Sequence, residues 1–270
     1  MQIKSFGKSD VGRKREKNED SFLVNDENFI YIVTDGMGGH LGGEYASKLA
    51  VTTIEEVIRS LEDDPEATMP GDISLKPGDI SGEIRFAISV ASRRIYEKAN
   101  VEKTLHGMGT TAVVLMFREG KVYIANVGDS RGYQVRSNNI SQITKDHSLV
   151  SEQIRAGILS EEDSRVHRFK NIITRSVGYQ EQVESDVDIR IPRVGDQFLL
   201  CSDGLTNLVK DEEIRDIIVN NEIELAVQRL IDVANERGGD DNITAILVEV
   251  VGLDDSDLSC KEHDDSTIEM

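Results

Sequence analysis

The sequence predicts an α+β sandwich, for three reasons: its apolar runs are too continuous for surface strands, its helical stripes bury one face only, and its elements do not alternate. Phe29–Thr34, Thr111–Met116, Val122–Val127, Phe198–Cys201 and Ile243–Val251 read as strands. Most are almost unbroken in apolar residues, the pattern of strands covered on both faces. Helical spacing occupies Glu44–Leu61, through Ala46, Leu49, Ala50, Ile54, Val57, Ile58 and Leu61. It returns in Ile80–Ala99, through Ile84, Ile88, Ala91 and Ile95, and in Ile223–Arg237, through Ala226, Val227, Leu230, Ile231 and Ala234. Each stripe has one side to bury. The order is strand, two long helices, several strands and a late helix, which is not the βαβα repeat of a parallel sheet. Pro65, Pro70 and Pro77 mark Glu62–Gly82 as the loop between the first two helices.

At 270 residues the chain is long enough for one large core. Residues 1–251 are expected to form one domain, and 252–270 an acidic, disordered tail, since seven acids there face one lysine with few apolar groups. The balance of 31 basic against 50 acidic residues, a formal charge of −19, excludes a nucleic-acid binder, because such a surface repels phosphate backbones. Anionic membranes are disfavoured in the same way. Cys201 and Cys260 lie far apart in unlike surroundings, so neither a disulfide framework nor a zinc site is indicated. The N-terminus lacks an apolar signal core and no run is long enough to span a bilayer, which points to the cytoplasm.

Asp35, Asp129 and Asp203 each follow one of the predicted strands, and Asp241 immediately precedes the last. Aspartate is also a common turn residue, and for any one of these positions that is the better reading. Four at the ends of buried strands are another matter. If the last strand runs antiparallel to the others, all four can converge at one end. Clustered carboxylates raise one another's pKa at the edge of a core, a cost that a bound cation removes. All-oxygen ligation without clustered Cys or His selects hard divalent ions over zinc.

Eight short motifs follow in order: Arg15-Glu16-Lys17-Asn18-Glu19-Asp20, Asp35-Gly36-Met37-Gly38-Gly39-His40, Gly107-Met108-Gly109-Thr110-Thr111, Asn126-Val127-Gly128-Asp129-Ser130-Arg131, Asp146-His147-Ser148, Ile173–Gly178, Ser202-Asp203-Gly204-Leu205 and Gly239-Asp240-Asp241-Asn242. Together they resemble the type 2C family of metal-dependent protein phosphatases, its bacterial members in particular, over roughly Gly7 to Val251. The resemblance implies a four-layer α-β-β-α sandwich of two antiparallel sheets flanked by helices, with a binuclear metal centre at one end. It implies Mg2+ or Mn2+, two per chain with a third position. Asp35 would bridge both metals, the Gly36 carbonyl would bind one, and Asp203 and Asp241 would hold the other. Glu19 and Asp20 would act through water or just behind the ligands. Asp129, with Asp203, would form the third position.

The implied reaction is hydrolysis of phosphoserine and phosphothreonine in proteins, by a hydroxide bridging the metals and attacking phosphorus in line. Ser/Thr kinases and their substrates are the implied partners. Arg15 suits the phosphate clamp, because its planar fork reaches two phosphate oxygens at once. Animal-type members carry a histidine straight after Asp-Gly, where this chain has Met37; that leaves the leaving-group acid open, with His40 and metal-bound water as candidates. Neither His40 nor His147 is expected to be essential. Leu149–Asn171 matches the variable flap beside the site and is expected to select substrates. Gly36, Gly38, Gly39, Gly42 and Gly43, directly before a helix, suit tight turns that let backbone approach metal and helix. A P-loop is excluded, since Gly7-Lys8-Ser9 lacks the earlier glycine and follows no strong strand.

Two rivals remain to be weighed. Gly128-Asp129-Ser130-Arg131-Gly132 fits the nucleophile elbow of a serine hydrolase, but that elbow must open a helix, and Gly132–Arg136 runs strand-like into a hairpin turn at Ser137-Asn138-Asn139. A catalytically weak phosphoprotein-binding module of the same fold is the other; the presence of Asp35, Asp203, Asp241 and Arg15 speaks against it.

Overall fold

In chain order the strands are β1 (Gln2–Asp10), β2 (Asp20–Asn25), β3 (Ile30–Met37), β4 (Gly109–Thr110), β5 (Ala112–Arg118), β6 (Lys121–Val127), β7 (Arg131–Arg136), β8 (Asn139–Gln142), β9 (Asp186–Arg190), β10 (Gln197–Cys201) and β11 (Ile243–Gly252). The helices are α1 (Gly42–Asp63), α2 (Ile80–Val101), α3 (Leu149–Arg155), α4 (Asp203–Thr206), α5 (Asp211–Val219) and α6 (Ile223–Glu236). The structure is a computed structural model that describes residues 1–38, 41–63, 78–160, 163, 167–169 and 171–254. One sheet has the order β1-β11-β10-β7-β8 and the other β2-β3-β5-β6-β9, with β4 added to β3. Every strand pair is antiparallel.

The continuous apolar runs exist because successive side chains of a strand face two different cores. Tyr31, Val33, Val113, Leu115 and Ile124 point from one sheet to Phe198, Leu200, Ile246 and Val248 of the other, forming the middle layer. Phe117 joins Tyr31 and Phe198 there edge to face, at centroid distances of 6.3 and 5.8 Å. The residues between them, Ile30, Ile32, Val114 and Ala125, pack outward against Ala46, Ile54, Ile84 and Ile88 of α1 and α2. On the far side Leu199, Cys201, Ala245 and Leu247 pack against Ile214, Ile218, Val227 and Leu230 of α5 and α6. Three cores between four layers make the α-β-β-α sandwich.

Besides the two-residue β4, the strands without a sequence signal are β1, β2 and β9, and these three lie at sheet edges. An edge strand is half wetted, so its residues need not be apolar. Gly7-Lys8-Ser9 lies inside β1 rather than in a loop after a strand, and its extended backbone leaves no phosphate-cradling loop. The hairpin at Ser137-Asn138-Asn139 is present, with Ser137 and Asn138 at φ +50° and +62°, the left-handed pair of a type I′ turn. The predicted loop Glu62–Gly82 is shorter at both ends: Glu62 and Asp63 complete α1, and Asp79 caps α2 by accepting from the Gly82 N–H at 2.9 Å. Residues 64–77 and the tail from 255 lie outside the described residues. Helix α5 was missed as well, since only Ile214 and Ile218 of its nine residues are buried.

Gly178 marks how tightly α2 packs below the Thr110–Val177 bridge. Its φ is +92°, and a Cβ there would lie 2.1 Å from Ile95 Cγ2. Gly178→Ala is expected to lower stability by about 1–3 kcal/mol, seen as a fall in Tm by calorimetry; an unchanged Tm would refute the packing argument.

Candidate active site

β3 and β6 each pair antiparallel with β5, so they run the same way and deliver Asp35 and Asp129 to one edge. β10 and β11 run oppositely, with Cys201 across from Ala245, so Asp203 leaves one strand where Asp241 enters the other. Asp20 opens β2 directly across from Asp35. Arg15, Glu19, Asp35, Gly36, Asp129, Asp203 and Asp241 all line one cavity of about 840 Å³. Asp20, 6% exposed, lies behind it.

Short-range contacts fix each acid. The Asp35 N–H donates to Thr111 Oγ1 at 2.9 Å, while the Thr110 hydroxyl and the Thr111 N–H both donate to the Asp35 carbonyl at 2.9 Å. The Gly-Met-Gly-Thr-Thr motif thus holds the backbone of Asp35. A Cβ on Gly36 would lie 2.1 Å from the Gly43 carbonyl oxygen, and one on Gly43 would lie 2.2 Å from Glu19 Oε2, so only glycine lets the start of α1 close over this strand. Ser202, just after β10, and Thr244 of β11 donate their hydroxyls to Asp20 Oδ2 at 2.8 and 2.5 Å. Asn242 gives its Nδ2 to the Val11 and Lys17 carbonyls and accepts the Glu19 N–H at 2.8 Å, stapling the Arg15 loop to β11. Arg15 Nη2 donates to Asp241 Oδ2 at 2.8 Å.

The electrostatics are those of a site short of positive charge. Burial, then Asp20, Asp203, Asp129 and Asp241, push the Asp35 carboxyl well above its usual range. Burial and the neighbouring Asp203 and Asp146 carry Asp129 up to about 8. Burial lifts Asp20 to about 7 against the pull of the Thr244 and Ser202 hydroxyls, with Asp203 and Asp241 adding to the rise. Asp203 is raised by burial and by Asp241, and it lies within hydrogen-bonding reach of Asp35. Asp20 Oδ1 and Asp203 Oδ1 are buried with no hydrogen-bond partner among the described residues. Orphaned carboxylate oxygens at mutually raised pKa, with all-oxygen donors, fit hard divalent ions. Among the described residues no three acids, histidines or cysteines close into a ready-made cage. The carboxylates line an open cavity instead, which suits ions that keep part of their water shell.

The sequence pattern of the family described as Protein phosphatase 2C matches residues 9–243. The chain belongs to the protein phosphatase 2C family. It is 41% identical over 246 residues to the serine/threonine phosphatase stp of Listeria welshimeri, covering 90% of this chain and 94% of that one. It is 38% identical over 251 residues to the protein phosphatase PhpP of Streptococcus pneumoniae, covering 90% and 95%. The crystal structure of the catalytic domain of PstP, a serine threonine protein phosphatase, in complex with two manganese ions superposes with a TM-score of 0.79 at 33% identity, over 93% of this chain and 99% of that one. The four-layer architecture expected of a phosphatase 2C chain is therefore the one observed.

Of the candidate site residues, Arg15, Glu19, Asp35, Gly36, Asp129, Asp203 and Asp241 meet at this cavity and Asp20 pairs across from Asp35, while His40 and the neighbouring Gly39 lie outside the described residues. Asp35 lies within β3 rather than after it. The serine-hydrolase rival falls, because Ser130 is 1% exposed, shares a 2.7 Å hydrogen bond with Thr111, and leads into β7 rather than a helix. The sequence reading assigned no role to Ser202, Thr244 or Asn242, whose work is hydrogen bonding to acids distant in sequence. It also assigned none to His147. Its backbone N–H donates to the Gly128 carbonyl at 2.8 Å, and its Nδ1 accepts the Gly128 N–H at 3.2 Å, pinning the turn that carries Asp129.

Two expectations follow from this geometry. His147→Leu should lower kcat/KM and weaken metal binding measured by calorimetry, each by about tenfold, with His147→Asn restoring both because its amide oxygen can accept from Gly128; equal losses in both variants would contradict the pinning role. Asp20 and Asp129 hold protons in the folded chain up to about 7 and about 8, but from an ordinary value of 3.8 when unfolded. Between these limits the folded state binds more protons, so metal-free stability falls as pH rises. Manganese should therefore raise Tm more at pH 8 than at pH 5; a larger rise at pH 5 would contradict this.

Proposed function

We propose that the chain hydrolyses phosphoserine and phosphothreonine on cytoplasmic proteins, Ser/Thr kinases and their targets among them, using Mg2+ or Mn2+. The observation that carries this reading is that Asp35, from one sheet, and Asp203 and Asp241, from the other, face a single cavity with Arg15 beside them. The relatives named as serine/threonine phosphatases and the manganese-bound neighbour support it. The charge of −19 supports a partner other than nucleic acid or membrane. Among the described residues no helix is long and apolar enough to cross a membrane. In this reading residues 1–251 are the catalytic domain, 149–171 its flap, and 252–270 an appended acidic tail.

Asp35 would bridge two ions, with the Gly36 carbonyl on one of them and Asp203 and Asp241 on the other. Asp129 would join Asp203 at a third position, Glu19 would act through water, and Asp20 would brace the cluster from behind. When bound, such ions supply a water of lowered pKa and neutralise phosphoryl charge. Arg15 performs the complementary task. Its side chain is 55% exposed, and its guanidinium, now on Asp241, is free to present two N–H groups to phosphate oxygens once Asp241 is occupied by a cation. Thr110, Thr111 and Asn242 keep the carboxylates and the Arg15 loop in register, so little reorganisation is needed on binding. His40 stays a candidate for protonating the leaving serine or threonine oxygen.

The test is release of phosphate from a phosphothreonine peptide with manganese. Activity should vanish with a chelator and return with added metal. Asp203→Asn should cost more than about a hundredfold in kcat/KM while the protein stays folded by circular dichroism. Turnover indifferent to chelator and to Asp203→Asn would overturn the reading.

A further inference from the structure

Asp129, Asn171 and Asp203 line a second cavity, of about 700 Å³, on the side away from Arg15. The cleft thus has two lobes joined at the carboxylates, and a phosphoryl group bound there leaves the flanking peptide lying along both. The second lobe is lined by Lys145, Ser148 and Arg155 on one wall and by Asn207 and Lys210 on the other.

Two of these cations are built into place. Asn126, 2% exposed, donates to the Lys145 carbonyl at 3.0 Å, which fixes the base of an exposed side chain. Arg155 Nη1 donates to the Asp146 carbonyl at 3.2 Å, tying the end of α3 to the same segment, and the Ser148 hydroxyl caps that helix by accepting the Ser151 N–H at 3.3 Å. Neither Lys145 nor Arg155 has a carboxylate partner among the described residues. The acids nearby are engaged elsewhere. Asp146 accepts from Arg131 Nε and Nη2 and from Gln142 Nε2. Asp211 accepts the Tyr133 hydroxyl, and with Glu212 it sits on the wall of Lys210. Asp129 and Asp203 belong to the metal centre. Among the described residues this wall therefore carries positive charge with no carboxylate paired to it, on a chain of net charge −19 that otherwise repels an anionic substrate.

We propose that the Lys145–Arg155 wall is a subsite for an acidic side chain flanking the phosphorylated residue. This rests on the phosphatase reading and narrows its substrate class to phosphoserine or phosphothreonine in acidic surroundings. Each contact is a solvent-accessible ion pair, so the preference is modest and weakens with salt.

The experiment measures kcat/KM with manganese on three phosphothreonine peptides flanked by Glu, Ala or Lys on either side, beside a small aryl phosphate. Wild type should favour the Glu peptide over the Ala peptide by about fivefold at low salt. Lys145→Glu, and Lys145→Glu with Arg155→Glu, should shift preference to the Lys peptide and leave the aryl phosphate unchanged. Indifference of the wild type to flanking charge, or a preference that survives the double variant, overturns the subsite. Failure of wild type on the aryl phosphate itself would instead sink the phosphatase reading, and the subsite with it.

Discussion

Acidic groups crowded at the seam of two sheets are the constraint on which the rest depends. Asp20, Asp35, Asp129 and Asp203 are all pushed toward the protonated form, chiefly by loss of water and then by one another. The fold offsets this with hydrogen-bond donors. Thr244 belongs to one sheet, Ser202 directly follows its β10, and Asp20 belongs to the other sheet, so the bonds that soothe a carboxylate also fasten the two sheets together at this end. Architecture and electrostatics are joined at that point.

On the proposed reading the cleft divides its tasks around the carboxylate waist. The lobe lined by Arg15 and Gly36 would face the reacting phosphoryl group, and the lobe lined by Lys145 and Arg155 what lies beside it in the substrate. Chemistry could then stay fixed while recognition varies, because among the described residues neither Lys145 nor Arg155 forms an ion pair with Asp35, Asp129, Asp203 or Asp241. That separation suits a family whose members share a reaction but act on different proteins.

Legibility in the sequence tracked burial. The central strands β3, β5, β6, β10 and β11 announced themselves because both faces are covered, and α1, α2 and α6 because one face is. β1, β2 and β9 did not, since an edge strand wetted on one side carries Lys4, Ser5 and Asp188 without penalty. Asp35, Asp129, Asp203 and Asp241 were readable because acids at the ends of apolar runs are conspicuous. His147 and Asn242 were not, because their value lies in reaching Gly128, Val11 and Lys17, and nothing local in the chain encodes such a reach.

β11 is flanked by β1 and β10, so among the described residues β1 pairs with β11 alone. During synthesis β1 must wait, unpaired, for more than two hundred residues to emerge, and Asp241 and Asn242 arrive with the same late segment. A nascent chain that lacks this segment accordingly carries Asp20, Asp35, Asp129 and Asp203 without the assembled cleft. On the proposed reading, catalytic competence is withheld until β11 has been made and paired, which keeps chains lacking it from acting on phosphoproteins.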